Sequence, residues 1–543
     1  MKVCLLYEDR ERSNEISYYD TASIIKDLGL KSLFLAAAKR LVYENGEVKR
    51  SEKEDAYLID TLRSVMMTPL ESAEEIQFRQ EIVRDCIGHE ELIRSLYDIS
   101  SEVIFRWNEL GRGPREKMQN SNPVTRLLTD IKVIRLLCGA LSKIRGIFIS
   151  QEPKLSSKGL TAFADEFTAA FSAEREAYIK RVLDDISFYT GGIDLEDEAR
   201  SREISPRIVF ECGLEDGLKF SSLKLEEVSS GSRKFYRPGS TMYKLRELLE
   251  SGTPDSFAVT KDIHIKEQTQ LLEYGIVSYI IEGLRSFTEE FRTFFDRLRF
   301  QAAFYLAAVQ LKAQMERIGA QWCFPEVCDR RDLEFTDLRE FVMGLERRMT
   351  VIGNTCSLKG KDLLIVTGAN QGGKSTFLRS IGIAQLMMQC GLMVTAQSYR
   401  SGIFPRIFVH FTRREDSEMN SGRLDEELGR MDKIVSHIGE GSLLLLNESF
   451  ATTTEKEGSV IAYDIIKALK EAGVRILTVT HLLSFARRVH EEAADAPSAG
   501  VAFLSAERKA DGTRTFRMIP HEPELTSFGL DLYEEIVEKK TPH

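Results

Sequence analysis

DLLIVTGANQGGKSTFLRSIGIAQLMMQ, residues 362–389, reads as a buried apolar strand, a glycine-rich loop and a helix in direct succession. The loop Gly368-Ala369-Asn370-Gln371-Gly372-Gly373-Lys374-Ser375, followed by Thr376, satisfies G-x-x-x-x-G-K-S in the strand-loop-helix context that the motif requires. Its glycines let backbone N–H groups turn inward around phosphates, and the helix N-terminus favours an anion. Lys374 supplies a point charge to the β and γ phosphates, and Ser375 is the expected Mg²⁺ ligand. The chain is therefore expected to bind ATP with Mg²⁺ and to hydrolyse it.

Downstream of Trp322 strand-like and helix-like runs alternate. RIFVHF (406–411), LLLLNES (443–449), GSVIAYDIIKALKEAG (458–473) and VRILTVTH (474–481) follow the opening strand and helix. Apolar strands alternating with amphipathic helices predict a mostly parallel α/β sheet covered on both faces. The expected architecture is an α/β P-loop ATPase domain of ABC type behind an α-helical region.

Two strand ends carry chemistry. LLLLNES ends in Asn447-Glu448, where a P-loop ATPase places an Asp for the Mg²⁺ shell and a Glu to polarise the attacking water. Glu448 is present. Asn447 can orient a metal-bound water but lacks the charge, so weaker Mg²⁺ binding and slow turnover are expected. LTVTHLL places His481 at another strand end, within reach of a γ-phosphate. In residues 415–438, Ser421-Gly422 precedes an amphipathic helix with an acidic first turn. A helix N-terminus aimed at phosphate is how ABC-type dimers complete each other's sites; a merely solvated charged helix is the alternative.

Upstream, EEIQFRQEIVRDCI (74–87) and RLLTDIKVIRLLCGAL (126–141) carry apolar residues at helical spacing, so residues 55–190 read as a helical bundle. From Gly191-Gly192 short alternating stretches and the loop SSGSRKFYRPGS (229–240) predict a small, partly β insertion over 191–262. Helical periodicity resumes over 263–320, and 321–543 forms the ATPase domain, with 1–54 a separate N-terminal segment. Arg233, Lys234 and Arg237 combine cations with Phe235 and Tyr236, a composition suited to gripping DNA phosphates without reading sequence. An ordinary exposed basic turn is the alternative. Phe304 and Tyr305 read as core.

Composition bounds the rest. At 543 residues the chain needs several cores, and 43% hydrophobic with 29% charged residues suits a globular protein. Apolar runs fall short of the ~20 residues that span a bilayer, and the N-terminus lacks a signal-peptide core, so a cytoplasmic protein is expected. Eight scattered cysteines suggest neither a zinc site nor a disulfide framework. A formal charge of −10 neither supports nor excludes DNA as a partner.

Together these motifs resemble the MutS family of DNA mismatch repair ATPases. TGANQGGKSTFLRSIG, CGLMVTAQ, FPRIF, NESFATTTEKEG and TVTH follow in the family's order, and TSFGLDL (526–532) resembles its closing Ser-aromatic-Gly motif. TPLESAEEIQFRQEIV (68–83) is similar to the start of the family's helical core, and the interrupted helical region resembles its lever arms with an inserted DNA-gripping clamp. The resemblance implies a homodimer, or a dimer-like pair, with two composite ATP sites and a DNA-encircling shape. It implies that Lys374 and Ser375 bind phosphate and Mg²⁺, that Glu448 activates water and that His481 senses the γ-phosphate. Thr453 and Thr454 would lie at the dimer seam, and Asn354, in VIGN, near the adenine. Departures are also plain: the family's signature Ser falls on Gly422, one residue from Ser421; Asn447 replaces an Asp; and residues 1–100 contain no Phe-x-Glu mismatch wedge. The resemblance thus predicts a DNA-repair clamp switched by ATP. A slow ATP-dependent switch acting on RNA, ribosomes or a protein partner is the alternative.

Overall fold

The computed structural model describes residues 2–8, 18–38, 52–111, 123–150, 154–189, 207–215, 219–229, 263–412, 423–495, 500–509 and 513–523. Ser421, Gly422, Arg233, Lys234, Arg237 and the TSFGLDL motif lie outside them. No described helix is long and apolar enough to cross a membrane.

The first helices are α1 (Thr21–Asp27), α2 (Lys31–Ala38), α3 (Glu52–Met66), α4 (Ala73–Gly88), α5 (Glu90–Gly111), α6 (Pro123–Ile149), α7 (Lys158–Ala170) and α8 (Ala173–Tyr189). An antiparallel pair follows, β1 (Arg207–Glu215) with β2 (Lys219–Ser229), and then α9 (Ile263–Arg317), a single helix of 55 residues. The remainder runs β3 (Glu326–Val327), β4 (Leu333–Leu338), α10 (Phe341–Arg347), β5 (Asn354–Ser357), β6 (Leu363–Thr367), α11 (Lys374–Gln389), β7 (Ser398–Ser401) and β8 (Ile407–Phe411). It ends with α12 (Arg423–Val435), β9 (Leu443–Asn447), α13 (Glu455–Glu471), β10 (Arg475–Val479), α14 (Leu483–Asp495), β11 (Val501–Arg508) and β12 (Arg514–Pro520).

The chain divides into two compact units. The first holds Met1–Lys2, Asp98–Glu152 and Ala164–Arg299. Its described core joins aliphatic residues such as Leu137 and Ile144 to an aromatic cluster: Phe167, fully buried, meets Phe148 edge-on at 5.7 Å and Phe294 at 6.1 Å between ring centroids. Edge-to-face and tilted pairs add to area burial because the ring quadrupoles oppose face-to-face stacking.

The second unit holds Val3–Tyr97, Pro153–Phe163 and Phe300–His543. Its main sheet has the order β12-β11-β6-β10-β9-β8, parallel from β11 through β8, with β12 antiparallel at one edge. Every residue of β6, β8 and β10 is buried, which is why these strands read as unbroken apolar runs rather than alternating ones. A second sheet, β3-β7-β4-β5, has no counterpart in the periodicity of the sequence. Helix starts follow local chemistry. Ser72 caps α4 by accepting from Glu75 N (3.2 Å), and Thr454 caps α13 by accepting from Glu457 N (3.4 Å) while its own hydroxyl donates to the Glu457 carboxylate.

In this unit Arg79 of α4 is fully buried and pins three chain segments. It donates to Leu6 O (3.0 Å from Nη2) and Cys390 O (3.1 Å from Nη1), and its guanidinium lies over the rings of Tyr7 and Phe304. Removing a buried cation that satisfies several carbonyls strands those carbonyls and opens a cavity. Arg79→Ala should therefore cost about 3–5 kcal/mol of stability, read as a lower urea midpoint with unchanged slope.

Candidate functional site

Strands β6, β9 and β10 are parallel neighbours, so their C-terminal ends share one edge of the sheet, the edge where α/β proteins bind ligands. The loop 368–373 leaves β6 there. Register places Asn447 beside Val479, so Glu448, one residue past β9, and His481, two past β10, emerge together. His481 Nε2 lies 3.1 Å from Glu448 Oε1. An ionised carboxylate only accepts, so in this pairing Nε2 carries the proton. That hydrogen bond holds the Glu448 carboxyl below its usual range against the opposing effect of burial, with the charges of His481 and Lys374 adding to it.

The loop's backbone is one that glycine alone adopts easily. Gly368 sits at φ +107°, and a Cβ there would lie 2.8 Å from both Ser505 Oγ and Ala506 N of β11. Gly373, at φ +91°, is the N-cap of α11 and makes no side-chain cap, which leaves the first N–H groups of α11 without a side-chain acceptor. Lys374, buried, folds back to donate to Gly368 O (2.8 Å) and Ala369 O (2.9 Å). Burial pushes its ammonium down to about 8, while the Glu448 charge pulls the other way.

Of these groups, Gly373, Lys374 and Glu448 face one cavity of about 540 Å³. Its walls include Gln371 through Phe377, Glu448 and Asn354. Asn354 accepts from Met518 N (2.7 Å) and donates to Phe516 O (3.4 Å), so its carboxamide anchors β12 to β5. Gly368, Ala369, Asn370, Asn447 and His481 do not line the cavity. Asn447 stands behind it, its Oδ1 buried and without a hydrogen-bond partner among the described residues.

Several wall residues escape a reading of the sequence. Phe516 of β12, at φ +60° and 45% exposed, and Arg514, whose Nη1 donates to Gln371 Oε1 (3.0 Å), come from a strand remote from the loop in the chain. Glu340, Met343 and Arg347 come from the start and body of α10. Only the positive φ of a bulky residue marks Phe516 as unusual, and that is invisible before the fold is known.

Burial disfavours the charge of Lys374 and pushes its ammonium down to about 8. A bound polyphosphate needs the charged form, so above that pH binding takes up a proton. ATP affinity is expected to be flat below pH 8 and to weaken by up to about tenfold per pH unit above it, measurable by fluorescent-nucleotide titration.

Helices joined to an α/β domain with a mixed sheet define the class, and comparison with known families specifies it further. The model of MutS domain V matches residues 364–537, and that of the MutS2 N-terminal domain matches 71–203. Both matches support a protein of the MutS family. It is 31% identical over 239 residues to the DNA mismatch repair protein MutS of Synechococcus elongatus, covering 41% of this chain and 26% of that protein. It is 27% identical over 278 residues to the Endonuclease MutS2 of Pediococcus pentosaceus, 51% of this chain and 32% of that protein. To the MutS protein homolog 4 of Mus musculus it is 31% identical over 170 residues, 30% of this chain and 18% of that protein. In each case the match spans less than a third of the relative's length.

Proposed function

We propose that this chain is a DNA-binding ATPase that converts ATP and water to ADP and phosphate to open and close a dimeric clamp on mismatched, branched or recombining DNA. The observation that carries the reading is the single cavity onto which the glycine loop, Lys374, Ser375 and Glu448 all open, with His481 bonded behind the glutamate. Backbone N–H groups of 372–375 and the Lys374 ammonium hold the phosphates, and Glu448, kept ionised by His481, accepts a proton from the attacking water. Mg²⁺, when bound, neutralises phosphate charge. The oxygens that fit it are those of Ser375, Asn447 and Glu448, and the orphaned Asn447 Oδ1 is a buried acceptor in want of such a partner. Ser421 supplies the trans contact of a homodimer in this reading. Asn354 sits near the adenine, and residues 191–262 form the clamp, with Arg233, Lys234 and Arg237 on DNA phosphates. Because Asn447 lacks an aspartate's charge, turnover is slow.

The names of the relatives support DNA as the partner: one is called a DNA mismatch repair protein and another an endonuclease. The test is the ATPase rate of the purified protein alone and with homoduplex, mismatched and four-way-junction DNA and structured RNA, at low and near-physiological salt. Stimulation by one DNA form, weakening as salt rises, is expected. Slow hydrolysis indifferent to every DNA form would overturn the clamp reading in favour of a regulatory switch on RNA, ribosomes or a protein partner.

A further inference from the structure

The turn that carries Glu448 is held in an uncommon shape. Glu448 has φ +55° and Phe450 φ +65°, two bulky residues in the left-handed region with Ser449 between them. Such a turn persists only where its surroundings over-determine it. On the β8 side, Thr412 Oγ1 donates to Glu448 O (2.6 Å), and Ser449 Oγ meets His410 Nδ1 at 2.7 Å. From the sheet, Val479 O accepts from Glu448 N (2.8 Å).

The remaining strap comes from α12. Glu427, only 5% exposed, accepts from Phe450 N through Oε1 and from Thr452 Oγ1 through Oε2, both at 2.6 Å. No cation pairs with this buried carboxyl group among the described residues, and each of its oxygens is met by one of these two donors. A buried carboxylate with neutral partners is a costly way to fill a core, and it is satisfied here only by the turn. The helix bearing it is itself firmly seated. Arg430, three residues on, donates to Phe411 O (3.0 Å), and Met431 and Ile434 on the same face are buried.

We propose that Glu427 is a positioning residue for hydrolysis: it fixes the left-handed turn at 448–452 and so sets where the Glu448 carboxylate stands against the attacking water. The inference rests on the ATPase reading above. Glu427 bonds Phe450 and Thr452 and none of the groups given a nucleotide-holding role above, the loop backbone, Lys374, Ser375 and Asn354. Loss of the strap therefore lowers kcat and spares binding. A glutamine can replace it, since its carbonyl oxygen still accepts from Phe450 N–H while its amide donates to a rotated Thr452 hydroxyl.

The experiment compares wild type, Glu427→Ala, Glu427→Gln, Thr452→Val and Glu448→Gln for steady-state ATPase and for binding of a non-hydrolysable ATP analogue. A displacement of about 1 Å at a reacting group is worth about a hundredfold, so Glu427→Ala is expected to lose about 30- to 100-fold in kcat with its dissociation constant unchanged. Glu427→Gln should stay within about threefold of wild type, and Thr452→Val should lose about three- to tenfold, which keeps the inference testable if the alanine variant does not fold. Wild-type kcat in both Glu427→Ala and Thr452→Val, or a loss of binding that matches the loss of rate, overturns the inference and leaves the ATPase reading standing. A wild-type rate no higher than that of Glu448→Gln overturns the hydrolytic reading itself, and this inference with it.

Discussion

Lys374→Ala is expected to abolish nucleotide binding while leaving the fold intact. The ammonium is buried at the start of α11 and donates to Gly368 O and Ala369 O, tying the two ends of the loop together. Phosphate oxygens offer it charged acceptors in place of neutral carbonyls, and each charge-assisted bond is worth about 1.5–3 kcal/mol. Two such bonds correspond to a loss of about 10²–10⁴ in affinity. Stability should fall less than for Arg79→Ala, because Lys374 lines the cavity, where water can reach the two carbonyls it leaves, and its charge is one that burial already disfavours. Isothermal titration with ATP and a thermal melt on the same sample check both halves. An alanine variant that binds ATP normally would remove the loop from the site.

Glu448→Gln is expected to separate binding from hydrolysis. Of the two carboxyls at the cavity, Glu340 caps α10 and is pushed up to about 7 by burial, whereas His481 keeps Glu448 in its ionised form. General-base removal costs about 10²–10⁴ in rate. An amide of the same shape keeps the bond to His481 and the backbone of the turn, so ATP should bind and stay. The proposed outcome is an ATP-bound dimer that accumulates, seen as a nucleotide-dependent doubling of mass by light scattering. Normal turnover in Glu448→Gln would sink the assignment of this residue as base, whatever the state of assembly.

How much of this was legible in the chain depends on the range of the signal. The run 362–389 is a local pattern, an apolar strand, a glycine loop and a helix, and it folds as β6, loop and α11. Asn447-Glu448 and His481 were likewise readable as residues at strand ends, because β9 and β10 are apolar runs of strand length that stop there. The basic residues Arg233, Lys234 and Arg237 and the signature position Ser421 remain expectations, since they fall outside the described residues.

The sequence by itself determined the strands β6, β8, β9 and β10 and the helices between them, their α/β order, the helical character of the N-terminal half, and which residue types stand at those strand ends. Those features arise from neighbours in the chain: side-chain periodicity, glycine's tolerance of positive φ and the capping serines and threonines. Tertiary structure alone decided which ends meet. Inserting β10 between β6 and β9 is what brings His481 onto Glu448, and an antiparallel edge strand is what carries Phe516 and Arg514 to the loop. It also decided that Val3–Tyr97 packs in one unit with Phe300–His543, through contacts such as Arg79 to Cys390, and that Glu427 reaches the turn beside Glu448. The physical reason is that strand order, buried hydrogen bonds to backbone carbonyls and left-handed turns are settled by partners remote in the chain, and no local pattern records them.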